Sequence, residues 1–150
     1  MAKFFDTERS VSGAEIKEVE ERLKFTLPSS YKEHLLKYNG GRCKPNEFFF
    51  EENGKETSSG IDWILSIYHG EDRFERYFEI LKIDSKRLPD SFFPFADDGL
   101  GNFICMDSST EIIYFWDHEI EVDYSNYSDD VRDNLLFVAS NLKEFLDNLK

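Results

Sequence analysis

The chain reads as a single α+β domain, residues 1–150, in which a mainly antiparallel sheet is flanked by an N-terminal helix pair, a middle helix and a C-terminal helix. Three observations lead there. Apolar residues recur at helical spacing through residues 12–38, and again through residues 140–149. Between Ile61 and Trp116 the period shortens, and brief apolar or alternating runs are broken by Gly, Pro and Asp. The length of 150 residues is that of one domain. A globule of this size buries roughly 70% of its unfolded surface, enough for one core without disulfide or metal staples. Fifteen phenylalanines supply much of that apolar area.

The elements follow in order. Ser12-Gly13-Ala14-Glu15 has capping-box spacing, and Val11 and Ile16 are placed to staple the first turn. Such a cap contributes about 1 kcal/mol. Ile16, Val19 and Leu23 then mark one face of the first helix. The second begins near Pro28, where a proline sacrifices no hydrogen bond. Its stripe is Tyr31, Leu35 and Tyr38, and Asn39-Gly40-Gly41 is expected to end it through a left-handed glycine. Glu47 to Glu52 reads as a short aromatic strand. The polar residues 53–60, with Gly54 and Gly60, read as a loop, and Ile61 to Tyr68 as an alternating strand. Phe74, Tyr77, Phe78 and Leu81 give the middle helix, which Leu88-Pro89 interrupts. Phe92–Ala96, Asn102–Met106 and Ile112–Trp116 form three strands of a meander, joined by Asp97–Gly101 and Asp107–Glu111. Residues 118–133 are acidic and take no assignment. A closing helix from Ser140 buries Leu142, Phe145, Leu146 and Leu149.

Charge is unevenly placed. Of a net charge of -13, the 44 residues from Leu88 to Val131 supply -11, with 11 Asp and Glu and no Lys or Arg. The other 106 residues are nearly balanced, with 20 acidic and 18 basic side chains. A disordered acidic tail lacks aromatics, whereas this stretch holds Phe92, Phe93, Phe95, Phe103, Tyr114, Phe115 and Trp116. The negative charge is therefore expected on a folded surface, which repels nucleic acid and attracts basic proteins. No apolar run is long enough to span a membrane, and the N-terminus lacks the features of a signal peptide. Two cysteines, Cys43 and Cys105, fit reduced thiols. The expected location is cytoplasmic, with no membrane partner.

Chemistry-bearing residues are sparse. Gly99, Gly101 and Asn102 make a glycine-rich loop, but a strand follows and Asp97 and Asp98 repel phosphate, so a turn is expected. Asp97 with Asp98, or Asp117 with His118 and Glu119, do not match the oxygen count or spacing of a calcium loop. They read as a solvated acidic rim. His34, His69 and His118 have no ligand partner at metal-binding spacing. His34 is expected on a helix surface, and Cys105 as a small buried hydrophobe. No catalytic residue, metal or cofactor is assigned. Trp63 and Trp116 suit either the core or a partner interface, and Trp116 borders Asp117, Glu119 and Glu121.

Taken together, the opening amphipathic helix, Leu27-Pro28, Tyr31, Asn39-Gly40-Gly41, Phe93-Pro94-Phe95-Ala96, Gly101-Asn102 leading to Asp107, Tyr114-Phe115-Trp116-Asp117 and Ser140–Leu146 resemble the SUKH superfamily. That group includes bacterial immunity proteins and fungal regulators of cell-wall assembly. The resemblance spans nearly the whole chain, except Asn53–Ser59 and His118–Asp133. It implies a single α+β domain with a mainly antiparallel sheet. It also implies that most bacterial members neutralise toxins, many of them nucleases, by direct binding. It defines no catalytic residues.

The expected function is a non-catalytic immunity protein that binds a basic toxin. A regulatory or scaffolding module of the same fold is the alternative. A small hydrolase using Asp97, Asp98, Asp117 and His118 comes third. In a meander the first and third strands run parallel, so their ends at Ala96 and Trp116 share one sheet edge. The expected partner-binding residues are accordingly Asp97, Asp98, Trp116, Asp117, Glu119 and Glu121.

Overall fold

The computed structural model describes residues 2–71, 73–120 and 133–150. The first helix, α1 (Gly13–Leu23), forms where the capping signal places it. Glu15 N–H donates to Ser12 Oγ, and Ser12 N–H donates back to the Glu15 carboxylate. Ile16, Val19 and Leu23 are its buried face. Helix α2 (Ser29–Lys37) follows Pro28 and buries Tyr31 and Leu35. It stops earlier than the glycines suggest. Tyr38 is extended and partly exposed, so the helix ends before Asn39-Gly40-Gly41. Asn39 has a different task. Buried, it takes the Ile67 N–H on its side-chain oxygen and donates to the carbonyls of Ile67 and Arg9. One side chain thus ties three distant segments together.

That tie shortens the strand expected at 61–68. Only β5 (Trp63–Ile64) pairs regularly; Leu65 N–H still reaches Phe95, but by Ile67 the backbone N–H and C=O are taken by the Asn39 side chain instead of a strand. The supposed loop after β3 (Glu47–Glu52) is also different: β4 (Lys55–Gly60) pairs with it in an antiparallel hairpin. Asn53 and Gly54 both have positive φ, at 53° and 77°. This is the turn that Asn-Gly favours between antiparallel strands, and its signal outweighs the polar composition of β4. Two short strands escape a sequence reading altogether, β1 (Lys3–Phe5) and β2 (Arg42–Lys44), which pair with each other.

The middle helix α3 (Phe74–Phe78) widens into a π-helical segment over Glu79–Asp84. There the Lys82 ammonium donates to the carbonyls of Pro89, Asp90 and Phe92 and lies over the Phe25 ring.

The meander appears within a residue of expectation as β6 (Phe92–Asp97), β7 (Phe103–Asp107) and β8 (Ile113–Trp116). With β5 and a further strand, β9 (Leu135–Ala139), they form a five-stranded antiparallel sheet in the order β5-β6-β7-β8-β9. Pro94 is tolerated inside β6 because the register shifts there, between Pro94 and Ala96. Helix α4 (Leu142–Asp147) closes the chain behind an Asn141 cap.

Both faces of the sheet are covered. Phe93, Phe95, Ile104, Met106, Ile113 and Phe115 join the main core with α1, α2, α4 and the β3–β4 hairpin. Phe92, Phe103, Cys105 and Trp116 face the other way, into a smaller core with Leu81, Leu88 and Leu135. This explains why the strands read as continuous apolar runs. The fold is a single α+β unit of described elements, as the spacing predicts.

Candidate functional site

The register across the meander sets the geometry of the acidic residues. Asp97 pairs with Phe103, and Phe103 pairs with Trp116. The loop after β6 and the chain leaving β8 therefore emerge side by side at one sheet edge. The backbone thus brings the two strand ends to one edge, as strand direction predicts. The side chains divide more sharply than the sequence suggests.

Asp98 is an internal brace. One carboxylate oxygen accepts the N–H groups of Leu100 (2.9 Å) and Asn102 (3.2 Å). The other accepts from the Asn102 amide (2.9 Å) and the Ser59 hydroxyl (3.2 Å). Asn102 then turns outward, and its carbonyl oxygen accepts the His118 backbone N–H at 3.0 Å and approaches His118 Nδ1 at 2.5 Å. Three chain segments, around residues 59, 98–102 and 118, are thus cross-linked through two side chains. Gly101 sits in the middle at φ +94°, and a methyl group there would lie 3.1 Å from His118 Cε1.

Asp97 accepts the Trp63 N–H at 3.2 Å, so it also helps to hold the β5 edge. Beside it, Asp62 pairs with Arg42 at 3.3 Å, and the Arg42 guanidinium stacks over Trp63 at 4.4 Å. Asp117 accepts the Glu119 N–H at 2.9 Å in a tight Asx turn. Glu119 itself is exposed. Glu121 lies outside the described residues.

Trp116 requires a correction. Its side chain is 2% exposed and packs with Phe103 in the smaller core, so it offers no ring to a partner. The alternation of β8 places Trp116 on the same face as Tyr114, and Leu81, Leu88 and Leu135 share its cluster there. Elsewhere in the acidic stretch, Asp107 is buried and accepts the Ser109 hydroxyl and N–H. Burial raises its carboxyl, but hydrogen bonds from Ser109, Ser91 and Thr110 together hold it below the usual range. Glu111 accepts the Ser30 hydroxyl and fastens the meander to α2. Much of the local negative charge therefore organises turns.

His34 is half-buried against Phe4 and Tyr38 rather than on an open helix surface. Burial, reinforced by Lys37, pulls its imidazole down to about 4. Cys105 is fully buried, as expected, and burial pushes its thiol far up. Of the residues of the hydrolase alternative, Asp98 and His118 are joined through Asn102, which holds His118 Nδ1 where a carboxylate would be needed, while Asp97 and Asp117 accept the N–H groups of Trp63 and Glu119. Among the described residues, no group of three or more His, Cys, Asp or Glu is placed to hold a metal ion. No described helix is long and apolar enough to cross a membrane.

Sequence reading missed Ser59, Asp62 and Leu100 at this edge. Asp98-Gly99 and Gly101-Asn102 around a single leucine were the available signal for an apex that presents Leu100.

Fold and edge together define a small α+β domain built on a doubly covered antiparallel sheet. Residues 10–148 match the SMI1 / KNR4 family (SUKH-1), and the chain belongs to that family. The SPbeta prophage-derived uncharacterized protein YokK of Bacillus subtilis (strain 168) is 30% identical over 118 residues. The match covers 71% of this chain and 62% of that protein.

Proposed function

We propose that the protein is a non-catalytic, cytoplasmic immunity protein that binds a basic protein toxin, a nuclease, and blocks it with the acidic sheet edge. The observation that carries this is the stretch of 11 acidic residues with no Lys or Arg, whose loops emerge together after β6 and β8. Membership of the SUKH-1 family supports it, since toxin neutralisation is what that resemblance implies for most bacterial members. The physical logic is electrostatic. A nuclease presents Lys and Arg to phosphates. An acidic face can occupy that surface, exclude nucleic acid and accelerate capture by roughly 10 to 1,000 fold at low salt.

The contacts are assigned to Asp97, Asp117, Glu119 and, from its place in the sequence, Glu121. Asp98 supports them by holding the loop. The test is kinetic. Association of a toxin encoded beside the gene, or of a basic protein recovered with the chain from source cells, is measured at two salt concentrations with wild type and with Glu119→Lys/Glu121→Lys. The double variant should associate at least about tenfold more slowly at low salt, with a flatter salt dependence. Wild-type rates in that variant would remove this edge as the interface.

A further inference from the structure

We infer that Leu100 is the apolar anchor of this edge, inserting into a socket on a basic protein surface while the carboxylates around it pair with that surface's cations. The inference rests on the proposed function and supplies the centre that the buried Trp116 cannot provide. Leu100 is 73% exposed, the most exposed of the large hydrophobic side chains described. A single exposed leucine is ordinary on a protein surface. Its mounting is the reason to single it out.

Leu100 N–H is held by Asp98, and the next side chain, Asn102, is fixed to both Asp98 and His118. Asp98 also takes the Ser59 hydroxyl, so the apex is fastened to the β3–β4 hairpin. The glycines on either side are closely flanked. A methyl group at Gly99 would lie 3.0 Å from the Asp62 carboxylate, and one at Gly101 would meet His118. Leu100 is therefore bracketed by the Asp62 side of the edge and by the His118–Glu119 side. Such an apex loses little conformational freedom on binding, which is where preorganised anchors gain affinity. An apolar centre within a polar rim is also the usual anatomy of a protein interface. The flanking carboxylates select a partner of opposite sign.

The experiment uses the full chain in cells of the source organism, with a benzoylphenylalanine photo-crosslinker at position 100, 36 or 83. Leu36 and Ile83 are the controls, since both are exposed apolar positions on other surfaces. Cross-linked protein is identified by mass spectrometry, purified and titrated against wild type, Leu100→Ala and Leu36→Ala. The expected result is one basic protein captured from position 100, with binding weakened tenfold or more by Leu100→Ala and unchanged by Leu36→Ala. The loss should lie in a faster dissociation rate. A basic protein captured from position 36 or 83 instead overturns the anchor and the acidic edge together, whereas capture from position 100 with binding unaffected by Leu100→Ala overturns the anchor alone and leaves the proposed function standing. Failure to capture any basic protein from the three positions overturns both. Leu100→Ala removes mostly exposed atoms, and an unchanged melting temperature verifies that folding is not the cause of lost binding.

Discussion

Replacing Gly101 with alanine tests the braced edge most directly. The backbone at this position has φ +94°, where a side chain is strained. A residue with a Cβ in a left-handed conformation costs about 1 to 2 kcal/mol. The added methyl would also lie 3.1 Å from His118 Cε1 and 3.3 Å from both ring nitrogens. Relieving that contact means moving the ring and weakening its hydrogen bond to Asn102, for about 1 kcal/mol more. The expected loss is about 2 to 3 kcal/mol, or a fall in Tm of roughly 4 to 12 °C for a domain of this size.

Gly54 separates the two contributions. It has φ +77° but nothing within 4 Å of an added methyl, so Gly54→Ala carries strain alone. Urea unfolding of both variants, and of Gly101→Ala in a His118→Ala background, forms a cycle. Gly101→Ala should cost about 1 kcal/mol more than Gly54→Ala, and the excess should vanish without the imidazole. Equal costs in the wild-type background would refute the His118 contact. No cost at Gly101 would refute the strain as well.

Three further outcomes are expected. Asp98→Ala leaves four donors without their acceptor and should lower stability by about 1 to 3 kcal/mol, whereas Glu119→Lys should stay within about 0.5 kcal/mol; denaturant midpoints of the two variants decide it. Trp116→Ala should cost about 3 to 5 kcal/mol, because it opens the smaller core, and thermal unfolding would place the residue at the surface if the loss were below about 1 kcal/mol. His34 is pulled from its ordinary 6.5 down to about 4, so between those values the unfolded chain binds more protons than the folded one. Its contribution is full above pH 6.5 and is lost as pH falls towards 4, reaching about 3 kcal/mol at most; the difference between wild type and His34→Gln in urea unfolding at pH 7 and pH 4 measures it, and parallel pH profiles would contradict the burial argument.

Local chemistry sufficed where one segment carries its own instruction. The capping box at Ser12, the stripe of Ile16, Val19 and Leu23, and the meander from Phe92 to Trp116 depend on neighbours in sequence, and all form where the spacing predicts. Even the shared edge of Asp97 and Asp117 followed from strand direction alone. The Asn53-Gly54 hairpin was equally local, and it was obscured only because β4 is polar. Other features required long-range packing. Asn39 shortens β5 by capturing Ile67, 28 residues away, and no periodicity within 61–68 encodes that. Trp116 stands next to a run of acids, yet Leu81, Leu88 and Leu135 join its cluster from outside the meander. Asp98 and Glu119 look alike in sequence as acidic loop residues. Only the folded chain brings Ser59 and Asn102 to the first and leaves the second exposed, because a carboxylate's role is set by the donors that packing delivers to it.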